Sequence, residues 1–181
     1  VTHFFSARPC LVVVDIQERL LRAMPDPQSL VHACTRLLRG ARLLGMPICF
    51  FQQNPEGLGP VPPELRDLAG DAPLFTKNHF SGHTDKSFRI WLEALGKREV
   101  AICGMETHVC VAQTAMGLVR DGFQVHGIRD VMASRHPGDR ETGLLRMQAF
   151  GVFPVSVEGL LFEVLGRADV PEFKDFLEIV K

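Results

Sequence analysis

Short, uninterrupted apolar runs alternate along the chain with stretches in which apolar positions recur every three to four residues. The runs fall at 10–15 (Cys-Leu-Val-Val-Val-Asp), 47–52, 73–77, 98–103, 123–129 and 152–156, and their centres lack in/out alternation. They read as strands covered on both faces. Helical periodicity places helices near 28–44, 86–95, 107–121 and 138–149, with a further pair near 157–165 and 171–180. Gly45, Gly96, Gly122 and Gly151 mark the helix-to-strand boundaries, where a left-handed cap is wanted. The stretch 53–72, Pro/Gly-rich at Asn54-Pro55-Glu56-Gly57-Leu58-Gly59-Pro60, reads as a surface loop carrying one helical turn. The βαβα alternation predicts a mostly parallel, doubly wound sheet of six strands between two helix layers, an α-β-α sandwich. No linker, low-complexity stretch or internal repeat interrupts it, so a single domain over 1–181 is expected.

Composition sharpens this picture mainly by exclusion. At 181 residues, 46% hydrophobic and 23% charged, the chain is long enough to bury a sizeable core without help from disulfides or metal. Lys plus Arg (20) balances Asp plus Glu (21), net −1, which lacks the footprint of a nucleic-acid binder. Apolar runs such as Cys10-Leu11-Val12-Val13-Val14 are far below the ~20 residues of a membrane span. Val1-Thr2-His3-Phe4-Phe5-Ser6 has no basic and then apolar leader pattern, so a cytoplasmic location is expected. Five cysteines, at 10, 34, 49, 103 and 110, show no CxxC spacing and read as reduced thiols.

In an open α/β sheet ligands bind beyond the carboxyl ends of the strands, so polar residues at strand ends are the first candidates for chemistry. Asp15 closes the Val-Val-Val run and Lys77 follows Leu74-Phe75-Thr76. Cys110 lies beyond strand 98–103 and Gly104, in the first turn of a helix that Thr107 is placed to cap. A cysteine at a helix start beside an ammonium is expected to have a lowered pKa and to react as a thiolate. A nearby carboxylate would take the thiol proton and return it to a leaving group. Each residue has a plainer reading as a core thiol, a turn acid or a solvated amine; their coincidence favours the chemical one.

The blocks Val12-Val13-Val14-Asp15-Ile16-Gln17, Lys77-Asn78-His79-Phe80-Ser81-Gly82 and Gly104-Met105-Glu106-Thr107-His108-Val109-Cys110-Val111 resemble the three catalytic blocks of the isochorismatase-like cysteine hydrolases, in that family's order and spacing. The similarity continues through Gly57-Leu58-Gly59-Pro60, Gly122-Phe123-Gln124-Val125-His126 and Asp130-Val131-Met132-Ala133-Ser134-Arg135, and is greatest toward the isochorismatase domain-containing subgroup. The resemblance implies strand order 3-2-1-4-5-6 and a catalytic triad of Asp15, Lys77 and Cys110. It also implies a cis peptide at Met105–Glu106, with the backbone N–H groups of Glu106 and Cys110 forming an oxyanion hole. A homo-oligomer is implied too, and the apolar segment Val170-Pro171-Glu172-Phe173-Lys174-Asp175-Phe176-Leu177 is a candidate contact.

Two departures limit the transfer. Nicotinamidases of the family carry an Asp-x-His metal motif after strand 2, where this chain has Phe51-Gln52-Gln53-Asn54-Pro55, so no metal and no cofactor is expected. True isochorismatases cleave a vinyl ether without the cysteine, so its presence favours acyl-type chemistry on a small-molecule amide or carbamoyl substrate. Gln17, Gln53, Phe80 and His83 are the expected substrate contacts, with Gln17, two residues after Asp15, equally placed to orient that carboxylate or to bond backbone. His79 and His83 have helical metal-ligand spacing, but Ser81-Gly82 between them disfavours a helix. His108 reads as an exposed residue of the cap region and Cys103 as core. GxGxxG, P-loop and GxSxG patterns are absent. A redox-sensing thiol and a non-catalytic binding or assembly module remain the alternatives.

Overall fold

A computed structural model describes residues 8–181. Val1–Ser6, read above for a leader, lie outside the described residues. The strands are β1 Cys10–Val14, β2 Ile48–Gln53, β3 Leu74–Lys77, β4 Glu99–Met105, β5 Gln124–Ala133 and β6 Phe153–Val155. They form one six-stranded, all-parallel sheet in the order β3-β2-β1-β4-β5-β6, as expected. The helices are α1 Glu18–Leu21, α2 Pro27–Leu43, α3 Pro55–Leu58, α4 Pro63–Ala69, α5 Lys86–Ala94, α6 Ala112–Arg120, α7 Pro137–Phe150, α8 Val157–Leu165 and α9 Phe173–Val180.

The doubly wound arrangement divides the core in two. Leu11 and Val13 of β1 face a cluster with Leu37 and Leu38 of α2 and Leu160 and Leu161 of α8. Cys10, Val12 and Val14 face the other layer, with Phe88 of α5 and Ala115 and Leu118 of α6. Successive β1 residues thus point to opposite faces, and both faces are dry, which is why the strand sequence shows no alternation. Asp26 caps α2 by accepting from Ser29 N at 3.0 Å, and Asp85 caps α5 by accepting from Phe88 N at 2.9 Å. The four boundary glycines, 45, 96, 122 and 151, all have positive φ.

Two sequence expectations change, and the C-terminal segment is seen to make contacts within its own chain. Residues 53–72 hold two short helices, α3 and α4, each starting with proline in its first turn. The fifth strand runs to Ala133 rather than 129, because a register shift against β4 lets Arg129 and Asp130 turn outward before Val131 and Met132 re-enter the core. The C-terminal segment packs within the chain: Phe176 stacks edge-on to Phe162 at 4.8 Å, and Arg36 donates to Val180 O at 2.7 Å. Its apolar face is therefore covered by the chain's own α2 and α8 region. No helix among the described residues is long and apolar enough to cross a membrane.

Candidate active site

β1 and β4 lie side by side at the centre of the sheet, with Val14 opposite Gly104. Gly104 has φ +125°, and a Cβ there would sit 1.9 Å from Val14 O, so only glycine admits this approach. Beyond Val14 the chain leaves the ladder: Asp15 has φ +52° while its N–H still donates to Phe51 O at 3.0 Å. This left-handed turn, unusual for a residue with a side chain, drives the carboxyl inward, and Asp15 is fully buried.

Lys77 ends β3 and reaches inward to meet it. Its Nζ donates to Asp15 Oδ2 at 2.6 Å and to Gln53 Oε1 at 2.8 Å. The other carboxyl oxygen, Asp15 Oδ1, is buried with no hydrogen bond among the described residues. The Cys110 thiol is the neighbour that, besides Lys77, alters the carboxyl's proton affinity. Burial raises the Asp15 pKa; the Lys77 charge, its hydrogen bond and the Cys110 contact pull it back only in part.

Cys110 is 7% exposed and sits in a π-helical turn, Thr107–Val111, that leads into α6. The Met105–Glu106 peptide before it is cis, as the family resemblance implies. The thiol is the main point at which the expected electrostatics fail. Burial pushes its pKa up to about 12 and the Asp15 charge adds to this, while Lys77 offsets only part. The ammonium is already matched by Asp15 and Cys110 is 7% exposed, so burial works against the lowered pKa expected for the thiol.

The turn is fixed by contacts that its sequence only partly signals. Thr107 does not cap it; its Oγ1 donates to Ala133 O at 3.0 Å. Thr114 Oγ1 donates to Cys110 O at 2.6 Å and accepts from Gly82 N at 2.8 Å, joining the turn to the loop after β3. Thr114 was not singled out in the sequence, although a polar residue four positions after the cysteine on an otherwise apolar helix face is a signal that could have found it. Glu106 is pushed up by burial, but hydrogen bonds and charge from Arg135 outweigh this and hold its carboxyl below the usual range. His108 is half-buried, with Nδ1 3.0 Å from Ser134 Oγ and Nε2 3.9 Å from Asp139, rather than free on the surface. Cys103 is buried in β4 as expected, and all five cysteines are free.

The structure thus brings Asp15, Lys77 and Cys110 together, with Gln53 hydrogen-bonded directly to Lys77 and Gln17 hydrogen-bonded to Gln53. Gln17 turns its carboxamide onto backbone: Oε1 accepts from Gln53 N at 2.7 Å, and Nε2 donates to Gln53 O at 3.0 Å and Gly59 O at 2.6 Å. Gln53 is engaged by Lys77 and by Asn78 O. The His83 ring pairs with Ser81 Oγ and packs so closely on α6 that a Cβ on Gly117 would lie 2.3 Å from it. Phe80, 56% exposed, lies on the loop just after Lys77. Among the described residues no three His, Cys, Asp or Glu side chains converge as metal ligands.

A doubly wound α/β sheet with an acid, an amine and a thiol at its switch point is the architecture of an isochorismatase-like hydrolase. The family model of the Isochorismatase domain matches residues 9–159. Isochorismatase domain-containing protein 1 of Salmo salar is 37% identical over 92% of the chain, which spans 59% of that relative's length. Isochorismatase domain-containing protein 2 of Xenopus laevis is 35% identical over 94% of the chain and 82% of its own. The structure of a Caenorhabditis elegans protein named MAR1 ribonuclease superposes with a TM-score of 0.92 at 28% identity, covering 99% of this chain and 92% of the other. The chain belongs to the isochorismatase family.

Proposed function

We propose that the chain is a cysteine-dependent hydrolase of a small amide, carbamoyl or related C–N substrate, working through a thioester. The observation that carries this reading is the buried Asp15 carboxyl, one oxygen bound by Lys77 and the other without a hydrogen bond, close enough to the Cys110 thiol for each group to shift the other's proton affinity. A thiol whose pKa burial raises above its ordinary value is scarcely ionised at neutral pH, so forming the thiolate before attack would be costly. A base in contact with it removes that requirement, because the proton passes to Asp15 as sulfur attacks. The raised Asp15 pKa suits a group that must both accept and return a proton.

In the first half-reaction Cys110 Sγ bonds to the carbonyl carbon, its proton moves to Asp15 Oδ1, and backbone N–H groups of Glu106 and Cys110 hold the oxyanion. Collapse breaks the C–N bond, and Asp15 protonates the departing amine. In the second, water gives a proton to Asp15 and its oxygen attacks the thioester, releasing the acid and restoring the thiol. Lys77 keeps the carboxyl in place throughout and balances its charge whenever it is ionised.

The ribonuclease name of the Caenorhabditis elegans structure raises RNA as a second substrate class. Lys77 and Arg135 are each already matched by a carboxylate and the chain carries net charge −1, so no surplus cation stands ready for a phosphodiester and the amide reading is preferred. The test is a panel of small amides, carbamates and ureas scored for amine or ammonia release, with RNA included, on wild type and Cys110→Ala. Release from a panel member that falls at least about 10³-fold in the variant is expected. Full turnover without the sulfur, on any panel member, would end the proposal.

A further inference from the structure

We propose that Gln53 is a positioning residue of this site: its carboxamide oxygen fixes the Lys77 ammonium on Asp15, and Gln17 in turn fixes Gln53. The inference rests on the reading of Asp15 as the base for Cys110. It assigns to Gln17 and Gln53 a role in aiming the amine rather than in holding substrate.

The backbone explains why such a device is needed. β1 stops at Val14, whereas β2 continues past its last β1 partner, Phe51, to Gln53. Phe51 O still receives Asp15 N, and in a parallel ladder alternate residues face the same neighbour, so the N–H and C=O of Gln53 point into the lane that β1 has left. The carboxamide of Gln17 fills that lane. It accepts from Gln53 N and donates to Gln53 O, as a peptide unit of a longer β1 would, and its second N–H ties in Gly59 O. The last residue of β2 is thereby held as firmly as a ladder residue.

From that fixed point the Gln53 side chain reaches β3. Its oxygen accepts from Lys77 Nζ at 2.8 Å and its NH₂ donates to Asn78 O at 3.1 Å. The orientation of the amide is not arbitrary, because an ammonium has no lone pair and only the oxygen can face it. Lys77 needs this second acceptor: it lies on a four-residue edge strand with a single partner strand and has a long, rotatable stem. Two acceptors, Asp15 Oδ2 and Gln53 Oε1, set the direction of the amine where one would leave it free to swing. A neutral acceptor does so without a second negative charge, leaving Lys77 and Asp15 matched one to one. The groups facing the amine are thus Asp15 from the end of β1, Gln53 from β2 and the Cys110 thiol from the π-turn.

The test needs no substrate. Cys110 is the only one of the five cysteines that is not fully buried, so iodoacetamide alkylation, followed by intact mass and peptide mapping between about pH 4 and 10, reads its reactivity, and the inflection in that range is the one set by Asp15, which must be ionised to take the thiol proton. Wild type is compared with Gln53→Glu, Gln53→Met, Asp15→Asn and Cys110→Ser. In Gln53→Glu a second carboxylate competes for the ammonium, which disfavours both the Asp15 anion and the thiolate, and the alkylation inflection moves up by about one pH unit or more. In Gln53→Met, of similar volume, the rate at neutral pH falls about tenfold or more without a comparable fall in melting temperature. A purely structural role would lower the melting temperature and leave the inflection in place, and that result in either folded variant would overturn the proposal. If Asp15→Asn shifts the profile while both Gln53 variants keep the wild-type inflection, the positioning role alone fails. If Asp15→Asn leaves the profile unmoved, or the adduct is not on Cys110, the underlying base–thiol reading fails with it.

Discussion

The centre of the sheet and its β3 edge each deliver one charged member of the Asp15–Lys77 pair, by opposite means. Every residue of β1 and β4 is buried, and the ladder holds Val14 against Gly104 so closely that the backbone itself aims Asp15 and starts the turn to Cys110. On β3, Leu74 and Thr76 are exposed, one neighbouring strand provides all the pairing, and only Lys77 is buried. There the aim comes from side-chain hydrogen bonds to Asp15 and Gln53. The lesson is that the centre should fail through its backbone and the edge through its charges.

Gly104→Ala should do the most damage. With φ +125° and a Cβ 1.9 Å from Val14 O, β1 and β4 would have to part, and a loss of about 4 kcal/mol or more is expected by urea unfolding. Lys77→Met should come next, near 3 kcal/mol at neutral pH, because it leaves the buried Asp15 charge alone. Its signature is in the pH dependence. Burial raises the folded Asp15 pKa above its ordinary 3.8, so between those values the folded state holds more protons than the unfolded one and stability falls as pH rises. Without Lys77 the folded value rises further and the window widens. Melting temperatures should therefore show a deficit that is small in acid and grows toward neutrality; a deficit independent of pH would mean that packing, not charge, holds the edge. The smallest effect is expected for Thr114→Val, which keeps the shape but cuts the link from Gly82 N to Cys110 O, at about 1–2 kcal/mol by the same unfolding assay.

The same contrast explains what the sequence made legible. Strands dry on both faces appear as apolar runs, so β1, β2 and β4 and the polar residues that end or follow them were readable, and with them Asp15 and Cys110. β5 was cut short because Arg129 and Asp130 break its apolar run at the bulge. The helices α3 and α4 were hidden by the Gly and Pro density around them, although Pro55 and Pro63 are start signals. The burial that works against an acidic Cys110 was not legible, because spacing reveals which charges are near and not how deeply the sulfur sits. Gln17, Gln53 and His83 were assigned to substrate from their places in the sequence, and the contacts each makes within its own chain were not legible there. Amide side chains serve backbone and ligand with the same atoms, and sequence alone does not separate the two uses.

Rapid acid quench of the enzyme during turnover of its best amide, followed by intact and peptide mass measurement, tests the base–thiol account most directly. Wild type should carry the acyl group of the substrate on Cys110, and Asp15→Asn should carry none. An acyl group mapped to another residue, or undiminished acylation in Asp15→Asn, would contradict it.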